Sequence, residues 1–262
     1  MIGEPSQPKS RDNRRTKTGG RRPGTLYIVG VPIGSHQDIT LRAIDILRHA
    51  AIVAAETPSI TQELLSQYDI QATLTSYDPR NHHEKTAVLV QRLREGQDVA
   101  LVSDTGMPVI YDPGRRLIAA ARKAGLPVSV IPGPSALTAA VALSGYPGDR
   151  IVFEGRLPET RPQLFRFLAR FKGEVGTAVF FVPPGHLLTV LESLTQILPT
   201  REVALAIDLS TPYEVFHKGR PAVLLKKISS WRREANATLV MQGSSRGKKK
   251  TGYRSTRRRA GG

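Results

Sequence analysis

The sequence predicts an α/β protein with two domains, and three observations support this prediction. Short apolar runs rich in β-branched residues, typical of buried strands, alternate with longer segments whose apolar residues have helical spacing. Gly and Pro, 23 and 19 residues in all, separate many of these segments. The 262 residues are 40% hydrophobic, which is enough for one large core or two smaller ones. Strands that alternate with helices in this way favour a mostly parallel sheet covered by helices on both faces.

Residues 25–147 are predicted to form a parallel-rich N-terminal domain. The first strand is an apolar run that ends in Pro32 and Gly34, and the following helix has apolar residues at helical spacing. Gly96 and Gly125 end two later helices, because glycine readily adopts the left-handed conformation that closes a helix. In chain order the predicted elements are strand 26–31, helix 38–49, strand 51–55, helix 60–68, strand 72–75, helix 84–94, strand 99–102, helix 115–123, strand 128–131 and helix 135–143.

Residues 148–243 are predicted to form a second, smaller α/β domain. The boundary is placed at the Ser-Gly-Tyr-Pro-Gly segment 144–148, where the strand–helix repeat pauses. Several strands then follow one another more directly, which favours a mixed sheet. The predicted elements are strand 151–154, helix 162–171, strand 178–182, helix 187–194, strand 203–208, strand 214–218, helix 222–231 and strand 238–242.

The formal net charge of +16 is concentrated at the two ends of the chain. Residues 1–24 carry +5 and residues 244–262 carry +8, so that residues 25–243 carry only +3. Both ends are rich in Gly and Ser and almost lack large aliphatic side chains, which predicts disordered basic tails. Such tails bind phosphate through Coulomb attraction and counterion release, and we expect them to contact nucleic acid. The alternative is that they only increase solubility.

Composition and pattern exclude several classes of protein. The absence of Cys rules out disulfides, a thiol nucleophile and Cys-ligated zinc or iron–sulfur sites. No apolar run approaches the roughly 18–20 residues of a membrane-spanning helix. The first residues lack the apolar core of a secretory signal, and their acidic residues disfavour a transit peptide. His82 and His83 adjoin at a helix start, where we expect capping or solvent exposure, and no metal site is predicted.

Three loops rich in Gly and Pro follow predicted strands, at residues 31–35, 103–114 and 132–136. In open α/β sheets, ligands bind beyond the carboxyl ends of the strands. Asp104 places a carboxylate at such a strand end, and Ser135 occupies the N-cap position of the next helix. Taken singly, each loop is explained by a turn, but together they indicate a cleft for a small polar ligand. None has the pattern of a phosphate-binding loop.

Four parts of the chain together form a specific pattern. They are GTLYIVGVPIG at 24–34 with DITLRA at 38–43, ALVSDTGMP at 100–108 with DPG at 112–114, IPGPSA at 131–136, and FEG at 153–155 with LP at 157–158. This pattern resembles the ribosomal small-subunit RNA methyltransferase I family, within the tetrapyrrole-methylase-like class of S-adenosylmethionine enzymes. The resemblance extends over about residues 24–243.

The resemblance implies two α/β domains, with the cofactor S-adenosyl-L-methionine in the cleft between them, in a homodimer. It implies 2′-O-methylation of a cytidine ribose in the 16S rRNA of the 30S subunit, and a cytoplasmic location. The residues implied to bind the cofactor are Pro32, Asp104, Gly106, Met107, Pro108, Ser135 and Ala136, with Phe181, Val182, Ala206 and Gly243 from the second domain.

Methyl transfer to a ribose hydroxyl requires alignment of the acceptor oxygen and removal of its proton. Glu56 and Asp208, two acids at predicted strand ends, are the candidate catalytic residues. Arg80 or Lys218 could instead stabilise an alkoxide. The residues predicted to contact RNA are Arg80, Lys85, Lys218, Lys248, Lys249, Lys250, Arg257, Arg258 and Arg259.

Four polar segments differ from the family pattern. Residues 56–59 read Glu-Thr-Pro-Ser where the family usually has Glu-Asp-Thr-Arg, and residues 76–81, 183–187 and 207–211 also differ. Because these positions are expected to face the substrate, two alternatives stay open: a tetrapyrrole C-methyltransferase, or an RNA- or ribosome-binding relative without activity. The basic tails argue against the first, since a uroporphyrinogen-like substrate needs no flexible positive charge.

Overall fold

The structure, a computed structural model, describes residues 22–228 and 235–244. Two short 3₁₀ helices, His36–Asp38 and Arg170–Gly173, accompany the regular elements. The regular elements are β1 (Leu26–Val29), α1 (Leu41–His49), β2 (Ile52–Ala55), α2 (Pro58–Ser66), β3 (Leu74–Ser76), α3 (His82–Arg94), β4 (Val99–Val102), α4 (Arg115–Lys123), β5 (Val128–Ile131), α5 (Ala136–Ser144), β6 (Ile151–Arg156), α6 (Arg161–Ala169), β7 (Thr177–Val182), α7 (Leu187–Ile197), β8 (Val203–Ile207), β9 (Val215–Gly219), α8 (Pro221–Ile228) and β10 (Ala237–Met241).

The predicted elements are confirmed in type, and their ends differ where the loops have their own hydrogen bonds. Strands β4 and β5 and helix α4 have the predicted bounds. Helix α1 begins at Leu41, because residues 36–38 form a 3₁₀ turn and Ile39 after it is extended. The last predicted helix is observed as α8, and its predicted continuation to residue 231 lies outside the described residues.

The first sheet contains five parallel strands in the order β3-β2-β4-β1-β5. All four residues of β4 are buried, as expected for a strand covered on both faces. Helices α3 and α4 pack on this sheet through a core that includes the fully buried Leu26, Leu93 and Leu117. Buried Tyr77 belongs to the same core, and its hydroxyl lies 2.8 Å from the Thr86 hydroxyl, which satisfies both groups.

The second sheet is mixed, with the order β6-β7-β10-β8-β9. Strands β6 and β7 are parallel, whereas β10 and β9 run antiparallel to their neighbours. Alternate residues of its strands point to opposite faces, so one face packs against α6, α7 and α8 and the other against α5. These observations confirm the α/β class, the parallel-rich first sheet and the mixed second sheet.

Contacts within the chain group the described residues into two compact units. The first unit contains residues 22–29, 41–104 and 112–132, and therefore the whole first sheet. The second contains residues 30–40, 105–111 and 133 onward, and therefore the second sheet and α5. The segments that follow β1, β4 and β5 thus belong to the second unit. The sequence instead predicts a single domain boundary between residues 147 and 148. That domain boundary stays a prediction.

The core extends slightly into the predicted basic tails. Gly24 donates a backbone hydrogen bond to the Leu93 carbonyl at 2.7 Å, and Ser244 donates one to the Glu174 carbonyl at 2.6 Å. The rest of the two tails, 1–21 and 245–262, lies outside the described residues. Among the helices that the structure describes, none combines the length and apolar character needed to cross a membrane.

Candidate functional site

The order of strands in the first sheet places a topological switch point at β1 and β4. The chain crosses from β1 over β4 to β2, and from β4 over β1 to β5, so these neighbouring strands send their connections in opposite directions. Ligands of open α/β sheets bind at such a point, beyond the carboxyl ends of the strands. The three Gly/Pro loops of the sequence follow β4, β1 and β5, which are consecutive in the sheet.

The loops after β1 and β4 are joined by backbone hydrogen bonds within the second unit. Val31 donates to the Gly106 carbonyl at 2.9 Å, and Gly106 donates to the Pro32 carbonyl at 3.2 Å. This isolated antiparallel bridge holds Pro32, Gly106 and the neighbouring Met107 together. The two hydrogen bonds also satisfy backbone amide and carbonyl groups of this buried segment, which would otherwise lack partners.

The loops after β1 and β5 touch through two glycines. A Cβ on Gly30 would lie 2.6 Å from the Met107 sulfur and 2.7 Å from the Gly133 Cα, and a Cβ on Gly133 would lie 2.8 Å from the Gly30 backbone. Distances this short leave no room for a side chain at either position. The loop of Pro134, Ser135 and Ala136 is therefore held against the loop of Pro32.

The loop after β1 also docks on the turn after β8. A Cβ on Gly34 would lie 2.3 Å from the Leu209 carbonyl oxygen. The Ser35 amide donates to the Ser210 hydroxyl at 3.4 Å, and that hydroxyl donates in turn to the Asp38 carboxylate. These contacts join residues about 175 positions apart and bring the 208–210 turn, with Asp208, beside the first loop.

An apolar surface of the second unit lies behind these loops. Buried Ala206 of β8 shares a cluster with Ile33 and Ala136, and Phe153 of β6 packs against the same cluster. Phe181 of β7 meets Phe153 edge to face, with ring centroids 5.0 Å apart. The structure therefore brings together most of the cofactor residues predicted in the second unit, namely Pro32, Gly106, Met107, Ser135, Ala136, Phe181 and Ala206. Pro108 follows Met107 in the same loop. Val182 lies instead in the core on the other face of the second sheet, with α6, α7 and α8.

The hydrogen bonding of the Ser135 and Asp104 side chains differs from what their positions in the sequence suggest. Ser135 occupies the N-cap position of α5, but its side chain makes no capping hydrogen bond. The Asp104 carboxylate accepts two hydrogen bonds from Thr57, from the amide at 2.9 Å and from the hydroxyl at 2.8 Å. Thr57 is the N-cap residue of α2, so Asp104 joins the end of β4 to the start of that helix. Sequence reasoning missed Thr57, which lies in one of the segments that differ from the family pattern.

The two candidate catalytic acids lie in different units. Glu56 is half-buried directly after β2 in the first unit. Asp208 lies after β8 in the second unit with a left-handed backbone, φ 48°. Its carboxylate accepts the Asn236 amide at 3.0 Å, and its own amide donates to the Asn236 carbonyl at 2.8 Å. Asp208 is therefore joined by two hydrogen bonds to Asn236, the residue directly before β10.

Gly243 lies at the other end of the second sheet. Ala237 at the start of β10 pairs with Val182 and Ile207, whereas Met241 at its end pairs with Ala178 and Val203. Gly243 therefore follows β10 toward the start of β7 and β8, where it lines a cavity of about 420 Å³ with Arg201 and Glu202 among others. The structure does not bring Gly243 together with the other predicted cofactor residues, because β10 is antiparallel to β7 and β8.

The predicted RNA-contact residues have unequal surroundings. Arg80 is 91% exposed, and its Nε donates to the Asp78 carboxylate at 3.3 Å. Lys85 donates to the Thr75 hydroxyl at 3.1 Å. Lys218 donates to the Ser144 carbonyl at 2.8 Å and lies over the Tyr146 ring, 4.2 Å from its centroid. The six tail residues, Lys248, Lys249, Lys250, Arg257, Arg258 and Arg259, lie outside the described residues.

Charged groups near the start of α3 shift two pKa values. Hydrogen bonds from the Arg80 amide and side chain, together with one from Asn81, hold the pKa of Asp78 below its ordinary value of 3.8. The positive charge of Arg116 lowers the pKa of His83, so its imidazole loses its proton more readily. Within the ranges that the structure describes, no cluster of three or more His, Asp or Glu side chains could hold a metal ion.

Comparison with known proteins places this arrangement in a family. A family model for Tetrapyrrole (Corrin/Porphyrin) Methylases matches residues 25–223. Ribosomal RNA small subunit methyltransferase I of Thermotoga maritima is 39% identical over 220 residues, which cover 84% of this chain and 99% of the relative. The protein of the same name from Escherichia coli O157:H7 is 37% identical over 223 residues, 84% of this chain and 78% of the relative.

Solved structures agree in fold. Diphthine synthase aligns with a TM-score of 0.63 at 16% identity, over 83% of this chain and 89% of that one. The uroporphyrin-III C-methyl transferase of Thermus thermophilus, complexed with S-adenyl homocysteine, aligns with a TM-score of 0.56 at 21% identity, over 84% and 97%. Because these identities are low, the structures support the fold alone. The sequence relationships show more: the chain is a methyltransferase that belongs to the tetrapyrrole methylase family and, within it, to the ribosomal RNA small subunit methyltransferase I group.

Proposed function

We propose that this chain transfers a methyl group from S-adenosyl-L-methionine to the 2′-hydroxyl of a cytidine ribose in 16S rRNA. The observation that carries the proposal is the 39% identity to a ribosomal RNA small subunit methyltransferase I over nearly all of that relative. The tetrapyrrole alternative is less favoured, because the solved tetrapyrrole enzymes share only the fold, at identities such as 21%. We also propose, from the family resemblance, that the protein is a cytoplasmic homodimer whose partner is the 30S subunit.

The loops of the second unit suit S-adenosyl-L-methionine. The contact between Gly30 and Gly133 holds two backbone segments close together, so the main-chain groups of the two loops keep fixed positions that a ligand could bind. Apolar side chains behind them, including Ile33, Ala136 and Phe153, could cover the nonpolar parts of the cofactor. When bound, the cofactor supplies a methyl group that its sulfonium makes electrophilic.

Asp104 would hold a polar group of the cofactor. Thr57 uses two of the roughly four acceptor positions of this carboxylate, which leaves others for a hydroxyl or an ammonium group. The two bonds from Thr57 also hold the carboxylate in a single orientation. Orientation of this kind is what a binding site needs if the cofactor is to be placed accurately.

Asp208 and Glu56 would have different roles, one in positioning a turn and the other at the acceptor hydroxyl. The Asp208 carboxylate holds the Asn236 amide, so we assign it the positioning of the 208–210 turn beside the first loop. Glu56 adjoins Thr57 in the chain, and Thr57 bonds to Asp104, one of the proposed cofactor contacts. We propose Glu56 as the group that accepts a hydrogen bond from the ribose hydroxyl and orients it.

The function is tested with tritiated S-adenosyl-L-methionine and 30S subunits from a strain that lacks the endogenous activity. We expect tritium in 16S rRNA, at a cytidine whose 3′ phosphodiester bond resists alkaline hydrolysis because its 2′-oxygen is methylated. Free 16S rRNA and uroporphyrinogen serve as competing acceptors. Transfer to uroporphyrinogen alone would support the tetrapyrrole alternative. Binding of the cofactor by calorimetry without transfer to any acceptor would support a relative without activity.

A further inference from the structure

Tyr111 stands out in the loop after β4, because its aromatic ring is exposed while its backbone is constrained. The residue is 56% exposed, although most aromatic side chains bury a large apolar surface. Its φ is 70°, and that of Val109 is 77°. Positive φ values are uncommon for residues other than glycine, and rarer still for a β-branched residue. Strained backbone of this kind persists where the surroundings hold it, often at functional sites.

The surroundings of Tyr111 fix its ring in place. A Cβ on Gly155 would lie 2.5 Å from Tyr111 Cδ2 and 2.8 Å from Cε2, so the ring rests against a backbone that has no side chain. Phe181 meets the ring edge to face, with the centroids 6.5 Å apart and the planes at 83°. These contacts lie within the second unit and hold one aromatic plane beside a residue of the proposed cofactor surface.

Arg156 places a positive charge over this ring. Its guanidinium carbon lies 5.7 Å from the Tyr111 centroid, within the range of a cation–π interaction. The residue is exposed, and among the described residues no carboxylate lies within ion-pair distance of it. The exposed guanidinium of Arg156 therefore lies over the exposed ring of Tyr111, so that a planar cation and an aromatic plane form one stack at the surface.

We propose that Tyr111 and Arg156 form a stacking platform for an unstacked nucleobase of the RNA substrate, an inference that rests on the function proposed above. Single-stranded RNA is recognised by stacking of bases on aromatic rings and on guanidinium planes. Enzymes that act on a base take that nucleotide out of its stack, and the same extrusion would free a ribose hydroxyl for methylation. A fixed aromatic plane next to Phe181 would hold the base or its neighbour while the ribose faces the cofactor.

The test compares variants of the full chain in binding to 30S subunits and in methyl transfer. Tyr111→Asn removes the ring but tolerates the left-handed backbone, since Asn is common in that region. We expect it to raise the KM for 30S subunits by roughly 5- to 150-fold, the effect of removing one base–aromatic stack. Tyr111→Phe should retain most of the affinity. Phe165→Ala, which removes another exposed aromatic ring on α6, should leave the KM unchanged.

Arg156 is tested in the same assays. Arg156→Ala and Arg156→Lys should both weaken binding, with Lys intermediate, because it keeps the charge but not the planar group. Affinity for S-adenosyl-L-methionine by calorimetry should stay unchanged in every variant. Equal KM values for wild type and Tyr111→Asn would overturn the platform. So would a loss of cofactor affinity, which would assign the ring to the cofactor, or a change in oligomeric state, which would assign it to a protein contact.

A crosslinking experiment separates this proposal from the proposed function. The full chain is irradiated at 254 nm with purified 16S rRNA, digested, and analysed by mass spectrometry. We expect a nucleotide adduct on the peptide that contains Tyr111, and its loss in Tyr111→Asn. An adduct without methyl transfer would retain the platform and reject the function. Methyl transfer with no such adduct and no effect of Tyr111→Asn would reject the platform and retain the function.

Discussion

Gly30 and Gly133 show how single residues determine the shape of the site. We expect Gly30→Ala to cost about 1–3 kcal/mol of stability, because its methyl group would overlap Met107 and the Gly133 backbone. If the loops separate to make room, cofactor affinity falls as well. Thermal unfolding and calorimetry with S-adenosyl-L-methionine measure the two effects. Gly148→Ala is the matched control, since a Cβ there meets nothing within 4 Å. Unchanged cofactor affinity in Gly30→Ala would show that these loops do not hold the cofactor.

The pair of Asp104 and Thr57 is a second case at this scale. Asp104→Ala should cost about 1.5–3 kcal/mol of stability, because it removes both acceptor oxygens that Thr57 now uses. Thr57→Val should cost about 0.5–1.5 kcal/mol, since it removes the hydroxyl and keeps the amide. A double-mutant cycle measured by denaturant unfolding gives the coupling between them, and Thr57→Ser should be nearly neutral. A coupling near zero would contradict the observed hydrogen bonds.

Asp78 makes stability depend on pH at the acid end. Its pKa in the folded protein is held below the ordinary 3.8, chiefly by the Arg80 amide. A depressed carboxyl pKa contributes stability above the unfolded value, and this contribution is lost as the pH falls through the folded value. We therefore expect Asp78→Asn to flatten the fall of the unfolding free energy between about pH 4 and pH 2. Asp149→Asn, an exposed control, should leave the slope as it is.

At the scale of elements, Lys218 contacts the end of α5, and we propose that its role is structural. Its ammonium group binds the Ser144 carbonyl at the C-terminus of this helix and lies over the ring of buried Tyr146. A cation at a helix C-terminus and a cation–π contact each contribute about 0.3–1 kcal/mol. Lys218→Met should therefore lower stability by about 1–2 kcal/mol while 30S affinity changes little. A large loss of 30S affinity with normal stability would support the predicted RNA contact of Lys218 instead.

Elements with local signals were predictable from the sequence, and their long-range partners were not. Strand β4 has its predicted bounds because four apolar residues in a row are buried on both faces. The docking of Gly34 on Leu209 joins distant segments, and no local pattern shows that the loop after β1 packs with the second unit. The family resemblance implies that Gly243 and Phe181 both bind the cofactor. Only the antiparallel direction of β10 shows that the two residues lie toward opposite ends of the strands.

The same limit applies to candidate site residues. The glycines and prolines of the three loops marked the site, because close approach of backbone needs small residues at fixed positions. Thr57 and Tyr111 lie in segments that the sequence had already marked, yet neither residue type alone indicates its partner. The hydrogen bonds of Asp104 and the contact with Gly155 depend on tertiary packing. For the whole molecule, the net charge and its distribution along the chain can be read from the sequence alone.

Most of the net charge of +16 lies outside the described residues, in segments 1–21 and 245–262. The second of these contains eight Lys and Arg residues and no acid. If both segments contact phosphate, they supply affinity that is independent of nucleotide sequence and falls steeply with salt. The enzyme core would then supply specificity. Removal of the two segments should spare the fold, because Gly24 and Ser244, which bond to the core, are retained.

We expect a chain of residues 22–244 to bind 16S rRNA more weakly and with a flatter salt dependence than the full chain. Removing the charge that neutralises one phosphate of single-stranded RNA lowers the slope of log K against log salt concentration by about 0.7. Filter binding between about 50 and 200 mM salt measures the slope. A full-length control with the eight C-terminal Lys and Arg residues replaced by Gln separates charge from chain length. Its slope should be nearly as flat as that of a chain without residues 245–262. Equal slopes for the full chain and residues 22–244 would show that the basic segments do not contact RNA, and would assign its binding to exposed core residues such as Arg80 and Arg156.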